Sequence, residues 1–290
     1  MVADQLPLSR QSVFWRVNSE PAIFLGGGRA LLMQVAHPGV GAGVEQHSSF
    51  ASDPWGRLFR TVDIMMKLSF GSPEVSARQQ RILDKMHRRV VGTTDDGTPY
   101  SAHDTDLQLW VWATLVDTAL VVYERLNGRL RPADRATYYD ESKLMAYGCG
   151  VERGACPDTM AHFEAYVARV VANDLRVTES ARRVATAAMV PPIPGPLSPL
   201  AATPNRLMTV GLMPPSLRAG YGFEWTDADE RALDRFLVAT RAVHRVTPTL
   251  VRRLPTELAV RQKHALRVPW LQRRGAELTA ERLAVAGHAS

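Results

Sequence analysis

The run from Asp104 to Leu126 constrains this chain most. It is long, apolar at the helical period, carries Trp110 and Trp112, and is closed by Asn127-Gly128. A helix of that kind must be buried among other helices. The rest of the sequence supplies them. Helical spacing is predicted for Ala22 to Val35, from Asp53-Pro54 onward, from Ser72 to about Val91, and at about 132–148, 157–173, 177–189, 226–250 and 254–266. No segment reads as a convincing strand, and no internal repeat is present. The expected class is all-α, with additional helices around a core.

Punctuation between these segments is chemical. Ala36-His37-Pro38-Gly39 breaks the first helix. Asp53-Pro54 and Ser72-Pro73 each offer a cap followed by a proline suited to a first turn. Gly92 is expected to end the helix that starts at Ser72, and Thr93 to Pro99 reads as a turn-rich loop around Asp96-Gly97. Residues 190–217 hold many prolines and read as a connector rather than a helix. The expected division is a main helical domain over 15–250, including that loop, and a C-terminal extension over 251–290.

Composition narrows the function classes. The chain has 290 residues, 46% of them hydrophobic, enough for a sizeable core. Its formal charge of +6 is scattered, with no long basic run, which argues against nucleic acid as a partner. Two cysteines, Cys149 and Cys156, give neither a disulfide framework nor zinc spacing. Residues 1–16 lack the pattern of a secretory signal, and no stretch of about 18 uncharged apolar residues exists. The expectation is a cytoplasmic protein without a transmembrane segment; peripheral membrane contact stays open.

His87 is the residue with most chemical content. It follows Leu83 by four positions and precedes Val90 and Val91, so it is expected on the core face of its helix. A buried structural histidine and an axial ligand of a haem iron both satisfy that placement. Haem needs a single protein imidazole, whereas zinc or non-haem iron needs three or four ligands, and no HExxH or paired E-x-x-H is present. Upstream, Arg57, Arg60, Thr61, Ile64 and Leu68 form one helical stripe that starts polar and ends apolar. Its first turns either make surface salt bridges or face something that wants donors. His37 reads as a helix-end cap or a contributor to a cofactor site. Glu45 is a candidate general base, and His47 has no settled role. Gly26-Gly27-Gly28 lacks the spacing of a phosphate loop and is assigned to close packing against a neighbour or a flat cofactor.

In order, Gln34-Val35-Ala36-His37-Pro38, His47-Ser48-Ser49-Phe50, Asp53-Pro54, Arg57-Leu58-Phe59-Arg60-Thr61, Met86-His87-Arg88-Arg89-Val90-Val91-Gly92, Tyr100-Ser101-Ala102 and Leu109 to Leu115 resemble the MpaB-type oxygenases, which share a catalytic domain with the rubber oxygenase called latex clearing protein. The resemblance covers roughly residues 15–250. It implies a globin-like helical core, haem b, and oxidation of a carbon–carbon double bond in an apolar isoprenoid or lipid-like substrate by dioxygen, with an unidentified electron donor. It implies His87 as proximal iron ligand, Arg57 and Thr61 as distal polar residues, and Glu45 near a catalytic glutamate. Arg60 stands where the rubber enzyme has an iron-binding lysine; a guanidinium stays protonated, which argues against that ligation. Trp112 replaces a histidine of many members. A non-catalytic carrier of haem or lipid is the alternative reading.

Overall fold

The computed structural model describes residues 6–47, 54–189 and 198–261. It is helical throughout, with one small hairpin, and the all-α expectation holds. The helix α6, Thr105–Asn127, is buried on nearly every side, as its sequence requires. Asp104 caps it, accepting from the amides of Asp106 and Leu107. Its two indoles are both satisfied: Trp110 donates to the Met33 carbonyl at 3.1 Å and Trp112 to the Ser142 carbonyl at 3.0 Å.

Around α6 pack the short α1 (Val13–Asn18), a 3-10 turn over Pro21–Gly26, α2 (Gly27–Val35), α3 (Pro38–His47) and α7 (Pro132–Cys149). The helices α4 (Pro54–Phe70) and α5 (Pro73–His87) form a hairpin beside them. α8 (Met160–Asn173) and α9 (Glu179–Ala188) close one side, α9 lying on α3. α10 (Ser198–Gly211), α11 (Pro215–Tyr221), α12 (Asp227–Val246) and α13 (Thr249–Arg261) complete the fold.

The glycines at the start of α2 serve packing. A Cβ on Gly26 would lie 2.6 Å from Thr118 Cγ2, and one on Gly28 would lie 2.1 Å from Thr209 Oγ1, so α6 and α10 approach too closely for any side chain. Arg29, buried beside them, is fully engaged by Asp117 at 2.7 Å, Thr118 Oγ1 at 2.6 Å and the Leu212 carbonyl at 2.7 Å.

Four expectations need correction. First, α5 stops at His87, and Val91–Thr93 pairs antiparallel with Pro99–Ser101 as strands β1 and β2, with Gly92 opposite Tyr100. The turn residues around Asp96-Gly97 are a hairpin turn; the strands are too short to show an alternating pattern. Second, Val75, Ile82, Leu83, Met86, Val90 and Val91 follow the helical period, which predicts one core face; Ile82, Met86 and Val91 are exposed and only Leu83 is buried, so that spacing does not mark one core face. Third, part of the proline-rich region is helical. Pro199 and Pro215 sit in first turns, where a missing N–H costs nothing. Pro204 is tolerated inside α10 because Leu207, Met208 and Val210 are buried there. Residues 190–197 lie outside the described residues. Fourth, the sequence predicts no helical spacing between the break at His37-Pro38 and Asp53, yet Pro38–His47 is a helix, α3, despite Gly39, Gly41 and Gly43; those glycines let it sit against Leu107, the Val35 carbonyl and Tyr100.

The division expected at 250/251 falls inside α13. That helix packs on α4, and Arg252 and Arg253 both reach the buried Glu20 at 2.9–3.2 Å.

Candidate functional site

α5 begins at Ser72, whose hydroxyl accepts from the Val75 amide, and Ser76 Oγ donates to the Leu68 carbonyl at 2.6 Å, locking α5 to α4. Ser76, Leu83 and His87 share the inward face of α5. His87, the last helical residue, is half-buried. Its Nδ1 lies 3.3 Å from Gln108 Nε2, and the same amide nitrogen donates to the Ala102 carbonyl at 2.9 Å. His103 stands edge-on to the ring at 6.4 Å and pairs with Asp84 at 3.3 Å. Burial, with the nearby His103, holds the His87 imidazole below its ordinary value, so it is neutral at pH 7.

On α4, Arg57 and Thr61 are partly buried and Arg60 is exposed. Burial, with Arg60 alongside, pushes the Arg57 guanidinium down to about 10, still protonated at neutral pH.

Glu45 is committed elsewhere. It points from α3 to α9, where Arg183 and Ser180 donate to its carboxylate. Ser180 Oγ also lies 2.7 Å from Asp95 in the hairpin turn. The Arg183 hydrogen bond holds the Glu45 carboxyl below the usual carboxylate range. His37 joins α2 to α3 through its backbone: its N–H donates to the Gln34 carbonyl at 3.1 Å and its carbonyl accepts from Gly41 at 2.8 Å. Its side chain does not cap. Nδ1 is buried without a hydrogen-bond partner among the described residues, and burial depresses the ring's basicity.

Several participants escaped the sequence reading. Gln108 is one, an amide among the apolar residues Leu107, Leu109 and Trp110, and that setting was the available signal. Ser180, Arg183 and Asp95 are distant in sequence from Glu45 and carried none. Farther along α4 than Thr61, Asp63 and Lys67 form a buried pair at 2.7 Å, legible as an i, i+4 pair.

A separate open cleft of about 350 Å³ lies between the end of α3 and the other face of α5, lined by His47, Ile82, Lys85, Met86, Arg89 and Val90.

The arrangement at His87 bears on a prosthetic group. As placed, Nδ1 accepts from Gln108, which leaves the ring proton on Nε2. A ligating imidazole needs the reverse, with Nδ1–H donating to an acceptor and the Nε2 lone pair free. Gln108 Oε1 is buried without a hydrogen-bond partner among the described residues. Turned toward Nδ1, it is the acceptor that such an imidazole requires, at the expense of the Ala102 bond. The residues present therefore fit a group held by one neutral imidazole. Among the described residues, no three His, Cys, Asp or Glu side chains are grouped to hold a metal ion by themselves.

The family described as ER-bound oxygenase mpaB/B'/Rubber oxygenase, catalytic domain, matches residues 15–242. This chain belongs to that family. An uncharacterized protein of Mycobacterium bovis and one of Mycobacterium tuberculosis are each 30% identical to this MpaB/rubber-oxygenase family member over 225 residues, spanning 75% of its chain and 87% of theirs. No solved structure matches it significantly. The family is one of oxygenases, which makes a substrate and dioxygen the expected reactants. No described helix is long and apolar enough to cross a membrane.

Proposed function

We propose that this oxygenase-family chain uses haem b, held by His87, to oxidise a carbon–carbon double bond in an apolar isoprenoid or lipid-like substrate. The observation that carries the reading is the His87–Gln108 pair: a half-buried imidazole at the end of α5 whose Nδ1 lies 3.3 Å from a side-chain amide of α6. When bound, haem supplies the activation of dioxygen that protein side chains lack.

The chain's own residues supply orientation and charge. Gln108 sets the ring plane of His87, and its Oε1 can accept a hydrogen bond from Nδ1–H. Arg57 keeps its positive charge in a partly desolvated position, so it stabilises negative charge developing on oxygen without reorganising. The Thr61 hydroxyl, one turn on, can both donate and accept a hydrogen bond. Arg60, exposed, is suited to a carboxylate at the rim of the site. Glu45 carries least of this reading as a base, because Arg183 already compensates its charge. His37 contributes through the backbone bend between α2 and α3 rather than through its ring. An electron donor belongs to the reading as a partner.

The test is haem content and turnover together. Purified protein, reconstituted with haemin where needed, should bind one equivalent. It should consume dioxygen with an unsaturated isoprenoid and release carbonyl products. His87→Ala should lose the haem; a variant that keeps full occupancy would refute the assignment.

A further inference from the structure

We infer that the cleft on the outer face of α5 binds a long-chain carboxylate, separately from any group held at His87. Its apolar lining comes from Ile82, Met86 and Val90, and the first two are 41% and 46% exposed, a large area for aliphatic side chains to leave in water. Its cations are Lys85 and Arg89. Neither has an ion-pair or hydrogen-bond partner among the described residues, while Arg88 between them is paired with Asp84 at 3.0 Å. Two unpaired like charges about one turn apart repel one another and are stabilised by an anion. The far wall is fixed, because His47 Nε2 lies 2.9 Å from the Val91 carbonyl oxygen.

Apolar lining beneath a pair of cations selects a ligand with an anionic head and a hydrocarbon body. A volume of about 350 Å³ is near the lower limit of ordinary ligand pockets, which suits one chain rather than the two of a phospholipid. His87 lies on a different face of the helix, with Ser76 and Leu83, so occupancy of the cleft does not require haem.

The experiment is calorimetric titration of the full-length protein with oleate below its micelle concentration, with oleyl alcohol and inorganic phosphate run in parallel. Oleate should bind saturably at one equivalent. Oleyl alcohol should bind at least tenfold more weakly, and phosphate alone should not compete at equimolar concentration. Lys85→Glu with Arg89→Glu, and separately Ile82→Asp, should each weaken oleate at least tenfold while the circular dichroism spectrum and haem content stay unchanged. These side chains are exposed, and the neutral pair Lys85→Gln, Arg89→Gln provides the same comparison should the charge reversal unfold the protein. Equal affinity for oleate and its alcohol, competition by phosphate alone, or undiminished binding by the charge variants would overturn the inference.

Discussion

Gln108 Nε2 lies 3.3 Å from His87 Nδ1, so one amide near the start of α6 fixes the imidazole at the end of α5. A hydrogen bond to the non-ligating nitrogen is what orients a metal-bound histidine, and its removal typically costs 10–100-fold in affinity. Gln108→Leu is therefore expected to weaken haem retention by roughly that factor while leaving the helices intact. Haem titration alongside far-ultraviolet circular dichroism reads both. Unchanged retention would make Gln108 a packing residue only.

Arg57 and Thr61 should separate from His87 in their effects. Arg57→Ala and Thr61→Val are expected to retain haem and to lower turnover, for Arg57 on the order of 10²-fold, as for loss of a donor aimed at developing negative charge. Oxygen consumption at saturating substrate checks this. A change in affinity for substrate with turnover intact would place these residues in binding instead.

Glu45 and Arg183 act as a clamp between α3 and α9. Arg183 is 57% exposed, which screens the pair, so Arg183→Ala should cost at most about 1 kcal/mol in urea unfolding. Glu45→Gln should cost a similar amount and leave most of the turnover. A loss of several orders of magnitude in turnover would restore Glu45 as a base.

Close packing at Gly28 gives a test of the fold. Replacing a helical glycine by alanine ordinarily gains about 1 kcal/mol. Here the new methyl meets Thr209 Oγ1, and overpacking costs about 1–3 kcal/mol. Gly28→Ala should be destabilising, and Thr209→Ala in the same chain should recover part of the loss. Stabilisation by Gly28→Ala alone would show that α2 and α10 are less tightly apposed.

His37, His87 and His244 all have depressed basicity, each from burial first. A folded-state value below the unfolded one means that the unfolded chain takes up protons first. The stability these rings contribute is complete above the unfolded value of about 6.5 and falls as pH drops below it. Thermal unfolding of the haem-free protein should occur at lower temperature at pH 5 than at pH 7.5. His37→Gln should reduce that difference.

The same physical distinctions explain what the sequence revealed. Strong, long signals were readable: α6 between Asp104 and Asn127, the proline-started helices α4 and α5, and the break at His37-Pro38. Each is set by local caps or by periodicity. What was not readable depends on partners remote in the chain. The glycine-rich α3 is helical because α9 and Tyr100 cover it, and nothing within its ten residues says so. Ile82 and Met86 obey the helical period yet line a surface cleft, since periodicity reports a shared face and not what lies opposite it. At the site, the helical spacing of Arg57 and Thr61 on α4 is local and legible, whereas His87 shares a helix face with Leu83 alone of its expected neighbours, because Val90 and Val91 lie beyond the end of α5. The Gln108 contact and the capture of Glu45 by Arg183 required the tertiary fold.

The most direct measurement is the visible absorption spectrum of the purified, haemin-reconstituted protein, oxidised and then dithionite-reduced, beside that of His87→Ala. The account predicts an intense Soret band that shifts on reduction in the parent protein and is absent from the variant after desalting. A parent protein that takes up no haemin, or a variant with the parent's spectrum and occupancy, would contradict it.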